Sequence, residues 1–336
     1  MKKIIAIIAG GDSSEHGVSM RSAEGISSFL DKEKYEIFVV EMTGNKWEAL
    51  LPDGKRTSVD RNDFSFKNGD RHIRPDFAYI TIHGTPGEDG ILQGYFDLIG
   101  MPYSTSGVLI EALTFNKFML NQYLKGYGVS VSESLVIRKG FEHLVTDDEI
   151  VNRIGLPCFI KPNAGGSSFG VTKVKVAEDI QNAIQKAMNE SDEVMVEAFM
   201  PGTEITCGCY KTKEKEVVFP ITEVVTGNEF FDYDAKYNGQ VQEITPARLN
   251  EDTAERVRLI TSTIYDILGC SGIIRIDYII TKNVDENGVE HERINMLEIN
   301  TTPGMTVTSF IPQQVAAAGL QMKDVLTDII EDKLNP

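Results

Sequence analysis

The chain has 336 residues, more than one hydrophobic core usually supports, so two or three subdomains are expected. Its 33 basic and 50 acidic residues give a net charge of -17, which disfavours nucleic acids and anionic membranes as partners. No apolar run reaches the roughly 18 residues of a membrane-spanning helix, so we expect a cytoplasmic protein. The four cysteines lack paired metal-site spacing and are expected to be free thiols.

The amino-terminal part follows the strand-turn-helix pattern of a parallel sheet. Lys3 to Ala9 form an apolar run that ends at Gly10-Gly11, and Val18 to Leu30 have helical spacing. Two further strands are predicted at Tyr35 to Glu41 and at Phe77 to His83. The pattern predicts a Rossmann-like domain. The glycine turn lacks G-x-G-x-x-G, so we do not infer a dinucleotide.

A loop of small residues follows a predicted strand in the middle of the chain. After a predicted helix from Leu113 to Tyr127, the segment 155–162 reads as a strand that ends near Lys161, and the loop Asn163 to Gly170 comes next. The backbone of such a loop can approach a phosphate closely. The order differs from a Walker A loop, because the lysine precedes the glycines. A phosphate-binding lid and a plain flexible hairpin are both open at this point.

Two more strands are predicted at Glu193 to Phe199 and at Glu204 to Tyr210. Glu197 lies on the first of them and, taken alone, can be a solvated surface residue. Phe230 to Gly239 is a polar and aromatic loop of the kind that closes over sites.

Polar side chains of two predicted strands near the carboxyl end face the same side. Successive side chains of a strand alternate faces, so Arg275 shares a face with Asp277 and Glu298 shares a face with Asn300. The two strands are predicted at Ile273 to Ile280 and at Ile294 to Pro303. Asn287-Gly288 between them favours a hairpin turn, which would bring the four side chains together.

The oxygen atoms of these side chains suit a hard cation. Carboxylate and amide oxygens, with no histidine or thiolate nearby, favour Mg²⁺, which usually also binds substrate phosphates. The turn Thr301 to Thr306 follows directly and can present backbone N–H groups to a ligand. An ATP-dependent enzyme is therefore indicated. Arg275 and Asp277 alone can also be an exposed ion pair.

A series of motifs in a fixed order carries a resemblance. The segments are Gly10-Gly11 to Glu15, Val18-Ser19, His83-Gly84, Gly87 to Gly90, Gln93-Gly94, Lys161-Pro162, Gly166 to Ser168, Gly170-Val171, Asp234 to Tyr237, Arg275 to Asp277, and Glu298 to Thr306. In this order and spacing they resemble the D-alanine–D-alanine ligases of the ATP-grasp superfamily over almost the whole chain.

The resemblance implies an α/β protein with the ATP-grasp fold, in three parts. These are an N-terminal Rossmann-like parallel-sheet domain (1–105), a central ATP-grasp subdomain (106–198) and a C-terminal ATP-grasp subdomain (199–336). It also implies the reaction. ATP would phosphorylate the carboxylate of one D-alanine, and the amino group of a second would attack the acylphosphate, for peptidoglycan precursor synthesis. Two Mg²⁺ (or Mn²⁺) ions and a homodimer are expected.

The resemblance assigns residues to ATP and to the metal ions. The expected metal ligands are Asp277, Glu298 and Asn300. The residues expected to contact ATP are Lys117, Lys161, Ser168, Glu197, Glu204 and Lys236. Of these, Lys117 and Lys161 would touch the phosphates, and Glu197 and Glu204 would meet adenine and ribose.

It also assigns residues to the two D-alanines. The expected catalytic set is Glu15, Ser167, Tyr237, Arg275 and the backbone N–H of Gly304. Arg275 and Gly304 would stabilise the oxyanion of the tetrahedral intermediate, and Glu15 would bind the ammonium of the first D-alanine. The residues expected at the D-alanine sites are His83, Ser309 and Phe310.

Some positions leave alternatives open. Phe310 stands where leucine is common in the family, which keeps a ligase joining D-alanine to D-serine or D-lactate open, whereas Tyr237 favours D-alanine over D-lactate. Asn116 stands before Lys117 where the family usually has aspartate, a difference expected to matter little. An inactive nucleotide-binding regulatory protein is the alternative from another class, and the intact Arg275 and metal ligands argue against it.

Two residues also have plain structural interpretations. Glu15 can be the capping-box partner of Asp12, three residues earlier. His83 can be a core histidine.

Overall fold

The computed structural model describes residues 2–166, 169–226 and 241–335. Ser167, Ser168, Lys236, Tyr237 and the predicted loop Phe230 to Gly239 lie outside the described residues. The described strands are β1 (Lys3–Gly10), β2 (Tyr35–Thr43), β3 (Lys46–Leu50), β4 (Arg56–Ser58), β5 (Phe66–Asn68), β6 (Arg71–Ile73), β7 (Phe77–Ile80), β8 (Ser134–Arg138), β9 (Cys158–Pro162), β10 (Thr172–Val174), β11 (Glu193–Ala198), β12 (Thr203–Lys211), β13 (Glu216–Val218), β14 (Thr222–Thr226), β15 (Val241–Ile244), β16 (Ile273–Val284) and β17 (Glu290–Asn300). The described α-helices are His16–Phe29, Ile91–Ile99, Val108–Phe115, Lys117–Lys125, Asp147–Arg153, Ile180–Met188, Glu251–Leu268, Phe310–Ala317 and Met322–Leu334.

The first sheet has a parallel centre, as the sequence predicts. Its strand order is β4-β3-β2-β1-β7, and β1 pairs in parallel with both β2 and β7. Residues Ile5 to Ala9 of β1 are completely buried, because a central parallel strand is covered on both faces. The antiparallel strands β3 and β4 extend the sheet beyond the predicted strands.

Two antiparallel sheets follow along the chain. The central sheet has the order β10-β9-β11-β8, and the C-terminal sheet has the order β15-β14-β12-β16-β17, with β13 also paired to β12. Crossovers between non-consecutive strands bring segments far apart in sequence side by side. The strand that ends in Lys161-Pro162 thereby lies next to the strand that carries Glu197.

The buried clusters join the parts of the chain. One cluster contains Ile5 and Ile7 of the first sheet together with Ile311 and Val315 of a C-terminal helix. Leu120, from the helix Lys117–Lys125, packs with the C-terminal sheet. The predicted limits 1–105, 106–198 and 199–336 stay a prediction.

The single helix predicted from Leu113 to Tyr127 is wrong. Two helices, Val108–Phe115 and Lys117–Lys125, meet at Asn116. The backbone of Asn116 is extended, and its Oδ1 accepts a hydrogen bond from the N–H of Met119 at 3.0 Å. Asparagine at such an N-cap satisfies a helix-end donor, so it ends one helix and starts the next. The break makes Lys117 the first residue of its helix.

All four cysteines lie in the described residues and are free thiols, as predicted. Three of them, Cys158, Cys207 and Cys209, are buried. No helix among the described residues is both long and apolar enough to cross a membrane.

Candidate active site

The strands β16 and β17 bring four polar side chains to one place. They pair antiparallel, with Arg275 opposite Asn300 and Asp277 opposite Glu298. The predicted turn is also present, since Gly288 has a positive φ of 79° and its N–H donates to the carbonyl of Asp285 at 3.0 Å. The predicted pairing of the two strands is confirmed.

A β-bulge lies beside these residues. Asp277 faces Glu298 but Tyr278 faces Met296, so Leu297 is an extra residue on β17. A bulge bends a strand and increases its local twist, and bulges often lie next to active sites. The sequence pattern did not predict it.

Arg275 and Asp277 form a two-pronged ion pair. Nε and Nη2 of Arg275 each donate to one oxygen of Asp277, both at 2.9 Å. The two side chains are only 16% and 12% exposed, so the alternative of an exposed ion pair is wrong. Burial by itself would lower the pKa of the Arg275 guanidinium, but the nearby charge and hydrogen bonds of Asp277 raise it above its usual value. The guanidinium is therefore permanently charged and held in a fixed plane.

The donor set around Asp277 fits a hard cation. Asp277 also accepts hydrogen bonds from Oγ1 of Thr206 at 2.5 Å and from Nδ2 of Asn300 at 3.2 Å. No group of three or more histidine, cysteine, aspartate or glutamate residues with metal-site geometry is found in the described part of the chain. Asp277, Glu298 and Asn300 offer two carboxylates and one amide oxygen, and a magnesium ion usually completes such a set with phosphate and water.

Lys161 and Glu197 form a second buried ion pair. Nζ of Lys161 contacts Oε2 of Glu197 across the neighbouring strands β9 and β11, and the side chains are 11% and 2% exposed. Oγ of Ser132 donates to the other oxygen of Glu197. A solvated surface role for Glu197 is therefore wrong. The glutamate fixes the lysine at the end of β9, directly before the glycine-rich loop.

Lys117 is bound to the same loop. Its Nζ donates to the carbonyl of Gly165 at 2.5 Å, and its backbone N–H donates to the carbonyl of Asn163 at 3.0 Å. Nδ2 of Asn163 in turn donates to Oδ1 of Asn116 at 2.9 Å and to Glu193 at 2.8 Å. Asn116 therefore both caps the helix of Lys117 and holds the first residue of the loop.

Glu15 reaches the loop from the other side. An added Cβ at Gly166 would lie 2.6 Å from Oε2 of Glu15, which shows how closely the carboxylate approaches the loop backbone. The capping-box interpretation of Glu15 is wrong. Glu15 is itself the N-cap residue, within the described chain its side chain makes no capping bond, and Oδ1 of Asp12 accepts from the N–H of Gly44 at 2.6 Å.

His83 is influenced by the opposite charges of Glu15 and Arg275. It is 8% exposed, and its Nε2 is 3.5 Å from Oγ of Ser22. Burial lowers the pKa of the His83 imidazole, the charge of Glu15 opposes this, and the charge of Arg275 lowers the pKa further. The neutral ring is favoured.

The turn after β17 meets the helix Phe310–Ala317. An added Cβ at Gly304 would lie 3.1 Å from Oγ of Ser309, and this oxygen accepts the N–H of Thr306 at 3.0 Å. The ring of Phe310 lies under Arg275, with its centroid 5.2 Å from Cζ. Gly304 therefore lies close to Ser309, and Phe310 lies close to Arg275.

Glu204 is the remaining predicted residue within the described chain. It lies on β12, opposite Ile279 of β16 and Val224 of β14. Asp277 lies on the same sheet, on β16, and the residue opposite it on β12 is Thr206.

Comparison with known proteins identifies the family. The model for the D-ala D-ala ligase N-terminus matches residues 4–106, and the model for the D-ala D-ala ligase C-terminus matches residues 123–331. The chain belongs to the D-alanine–D-alanine ligase family. A D-alanine–D-alanine ligase of Phocaeicola vulgatus is 72% identical over 333 residues, which cover 99% of this chain and 100% of that relative.

Solved structures of ligases have the same fold. The VanG D-Ala:D-Ser ligase from Enterococcus faecalis is 30% identical, with a TM-score of 0.84 over 98% of this chain and 99% of that one. The ATP complex of the D-alanine–D-alanine ligase from Bacillus anthracis is 28% identical, with a TM-score of 0.75 over 99% of this chain and 97% of that one. The predicted α/β fold of the ATP-grasp type is confirmed.

The sequence did not predict the hydrogen bonds that Glu88 makes near the turn Thr301 to Thr306. Oγ1 of Thr302 donates to Oε1 of Glu88 at 2.8 Å, and the N–H of Gly84 donates to Oε2 of Glu88 at 2.7 Å. Burial raises the pKa of the Glu88 carboxyl to about 7. At neutral pH a larger fraction of this carboxyl is therefore uncharged than in an ordinary glutamate. The family match at Gly87 to Gly90 included Glu88 but gave it no role.

Close packing on the same turn was also missed. Gly25 of the helix His16–Phe29 lies against Met305, and an added Cβ there would be 2.1 Å from the Met305 carbonyl oxygen. Because that neighbour is backbone, only glycine allows the first helix to pack so closely on the turn.

Proposed function

We propose that this chain joins two molecules of D-alanine into D-alanyl-D-alanine in a reaction driven by ATP, for peptidoglycan precursor synthesis. A carboxylate oxygen of the first D-alanine attacks the γ-phosphorus, and ADP leaves. The amino group of the second D-alanine then attacks the acyl carbon, the C–O bond breaks, and phosphate leaves while the amine proton passes to solvent. The convergence of Arg275, Asp277, Glu298 and Asn300 beside Gly304 carries this proposal. The 72% identity to a ligase supports the substrate.

Asp277, Glu298 and Asn300 would hold the magnesium ions. When bound, these ions neutralise charge on the phosphates and on the transferred group. Lys117 and Lys161 would contact the same phosphates. Because Glu197 fixes Lys161 and Gly165 accepts from Lys117, the two ammonium groups are placed before ATP arrives, which limits reorganisation during the reaction.

Arg275 and the N–H of Gly304 would stabilise the negative oxygen of the tetrahedral intermediate. The two hydrogen bonds to Asp277 hold Arg275 in one orientation, so it need not move as charge develops. Glu15 would bind the ammonium of the first D-alanine, beside His83, and Ser309 would contact the carboxylate of the second. Ser167 and Tyr237, which lie outside the described residues, would complete the catalytic set.

Product analysis tests the proposal. The purified protein is incubated with ATP, Mg²⁺ and D-alanine, with and without D-serine or D-lactate, and products are identified by mass while released phosphate is counted. We expect D-alanyl-D-alanine with one phosphate per dipeptide, and no product when L-alanine replaces D-alanine. A mixed product would assign the chain to the D-serine or D-lactate ligases. ATP binding without any product would favour a regulatory protein.

Phe310→Leu, which restores the residue common in the family, is expected to lower the share of D-serine accepted at the second site. The aromatic ring stacks on Arg275 and by the family resemblance would line the second D-alanine pocket, and such a cation–π contact contributes about 0.5 to 2 kcal/mol. Leucine would remove the stacking, so kcat should fall by up to roughly 30-fold, and it would restore the residue common in the family, so the share of D-alanyl-D-serine should fall. The measurement is the product ratio from an equimolar D-alanine and D-serine mixture.

The matched control is Phe141→Leu, the same change at a side chain that is 57% exposed. It should leave the ratio as it is. An unchanged ratio in Phe310→Leu would remove this residue from the account of specificity.

We further infer a homodimer in the cytoplasm from the family. Sedimentation at micromolar concentration tests the assembly, and a monomeric mass would contradict it.

A further inference from the structure

Glu111 is a completely buried carboxyl group that the reaction described above does not use. It lies on the helix Val108–Phe115, directly before Asn116 and the helix of Lys117. Its neighbours along the helix are mostly apolar. Burying a carboxyl group is unfavourable unless it is hydrogen-bonded, so its presence in an apolar helix calls for a specific partner.

That partner is Thr301. Its Oγ1 donates to Oε2 of Glu111 at 2.5 Å, across 190 positions of sequence. Thr301 is 3% exposed and directly follows Asn300, the last residue of β17. It is therefore the first residue of the turn Thr301 to Thr306, which carries Gly304 and is called the oxyanion turn from here on. One hydrogen bond ties the helix before Lys117 to the end of the strand that carries Glu298.

Burial disfavours the ionised form of the Glu111 carboxyl group. Burial raises its pKa well above its usual value, the hydrogen bond from Thr301 and the proximity of Ser106 oppose this, and the charge of Glu88 raises the pKa further. An uncharged acceptor beside the turn contributes direction and distance rather than an electric field. Thr302, the next residue of the turn, is held by Glu88, which lies on a different segment from Glu111.

We propose that Glu111 is a positioning residue for the ligation reaction, which holds the oxyanion turn in register with Lys117 through Thr301. The inference rests on the proposed function, because it gives the turn its role. Lys117 would contact the phosphates of ATP, and Gly304 would contact the oxygen that becomes negative after phosphoryl transfer. A fixed distance between them keeps the acylphosphate carbon beside its stabilising groups. Displacement of such groups by about 1 Å can slow a reaction about 100-fold.

Three variants and one control test the proposal. Glu111→Leu removes the acceptor at similar volume, Glu111→Gln keeps an uncharged acceptor oxygen, and Thr301→Val removes the donor. Thr114→Val is the matched control, because Thr114 is a 5% exposed threonine of the same helix whose hydroxyl donates to the carbonyl of Ile110 at 2.8 Å. For each, kcat, the KM values of ATP and D-alanine, ADP affinity by equilibrium titration, and unfolding by denaturant are measured.

A positioning role predicts a split among these quantities. Glu111→Leu and Thr301→Val should each lower kcat roughly 10- to 100-fold, with ADP affinity and the ATP KM changed less than about threefold. Glu111→Gln should keep kcat within about threefold of wild type. The double variant Glu111→Leu with Thr301→Val should lose no more than either single variant, because both remove the same contact.

A purely structural role predicts a different result. In that case Thr114→Val would lower kcat as much as Thr301→Val, or kcat would follow the folded fraction in every variant; either result overturns the proposal. Should Glu111→Leu fail to fold, Glu111→Gln and Thr301→Val still decide the matter. Dipeptide synthesis by the wild-type protein, measured in parallel, tests the proposed function independently of the role of Glu111. Wild-type dipeptide synthesis with unaffected variants would refute only the role of Glu111.

Discussion

Arg275→Met is expected to lower kcat by at least about 100-fold and to destabilise the fold as well. Loss of one oxyanion donor typically lowers kcat by about 100- to 1,000-fold. The change also leaves the buried carboxylate of Asp277 without the two hydrogen bonds and the positive charge of Arg275. Removing one partner of a buried ion pair costs about 3 to 5 kcal/mol of stability. Phosphate release and urea unfolding measure the two effects.

Arg71→Met is the matched control. Arg71 also makes two hydrogen bonds to one carboxylate, that of Glu36, at 2.8 and 2.9 Å, but its side chain is 58% exposed. An exposed pair of this kind contributes at most about 1 kcal/mol, so this variant should be fully active. Arg275→Lys keeps the charge but not the planar fork and should be impaired too. If Arg275→Met were as active as Arg71→Met, the oxyanion role of Arg275 would be refuted.

Glu298→Gln is expected to abolish measurable turnover. The change keeps the size of the side chain but removes the negative charge opposite Asp277 that a magnesium ion requires. Metal ions contribute several kcal/mol of charge stabilisation in such reactions, so we expect a loss of at least about 100-fold. ADP release is measured over a range of Mg²⁺ concentrations, together with Mg²⁺-dependent nucleotide binding in the absence of D-alanine.

Glu290→Gln is the control on the same strand. Glu290 lies near the other end of β17, where it pairs with Lys282 at 2.7 Å and is 54% exposed. It should retain the activity and the magnesium dependence of the wild type. Near-normal turnover in Glu298→Gln would contradict the metal assignment, whatever the control does.

The sequence predicted which side chains of β16 and β17 face the site, but it did not predict the bulge between them. The faces of β16 and β17 follow from the alternation of side chains, and Gly288 marks the turn between them, so Arg275 and Glu298 could be placed together. These features are local. The bulge at Leu297 depends on how two strands pair, and no residue pattern within β17 indicates it.

The sequence did not predict the contacts between segments that are far apart in the chain. Thr206 reaches Asp277 because β12 pairs with β16, and Lys161 meets Glu197 because β9 lies beside β11. Strand order is set by the whole fold, whereas periodicity reports only one strand. The break at Asn116 was a failure of another kind, because the apolar spacing continues through a residue that caps a helix. A lone acidic residue in an apolar helix was the available signal for Glu111.

Transfer of oxygen from D-alanine to phosphate tests the central claim most directly. D-alanine with both carboxylate oxygens replaced by ¹⁸O is incubated with ATP, Mg²⁺ and the protein, and the masses of the released phosphate and of the dipeptide are measured. An acylphosphate route requires that each phosphate carries one ¹⁸O atom, taken from the carboxylate that becomes the peptide carbonyl. Dipeptide accompanied by unlabelled phosphate would show that the carboxylate is not phosphorylated and would contradict the proposed reaction.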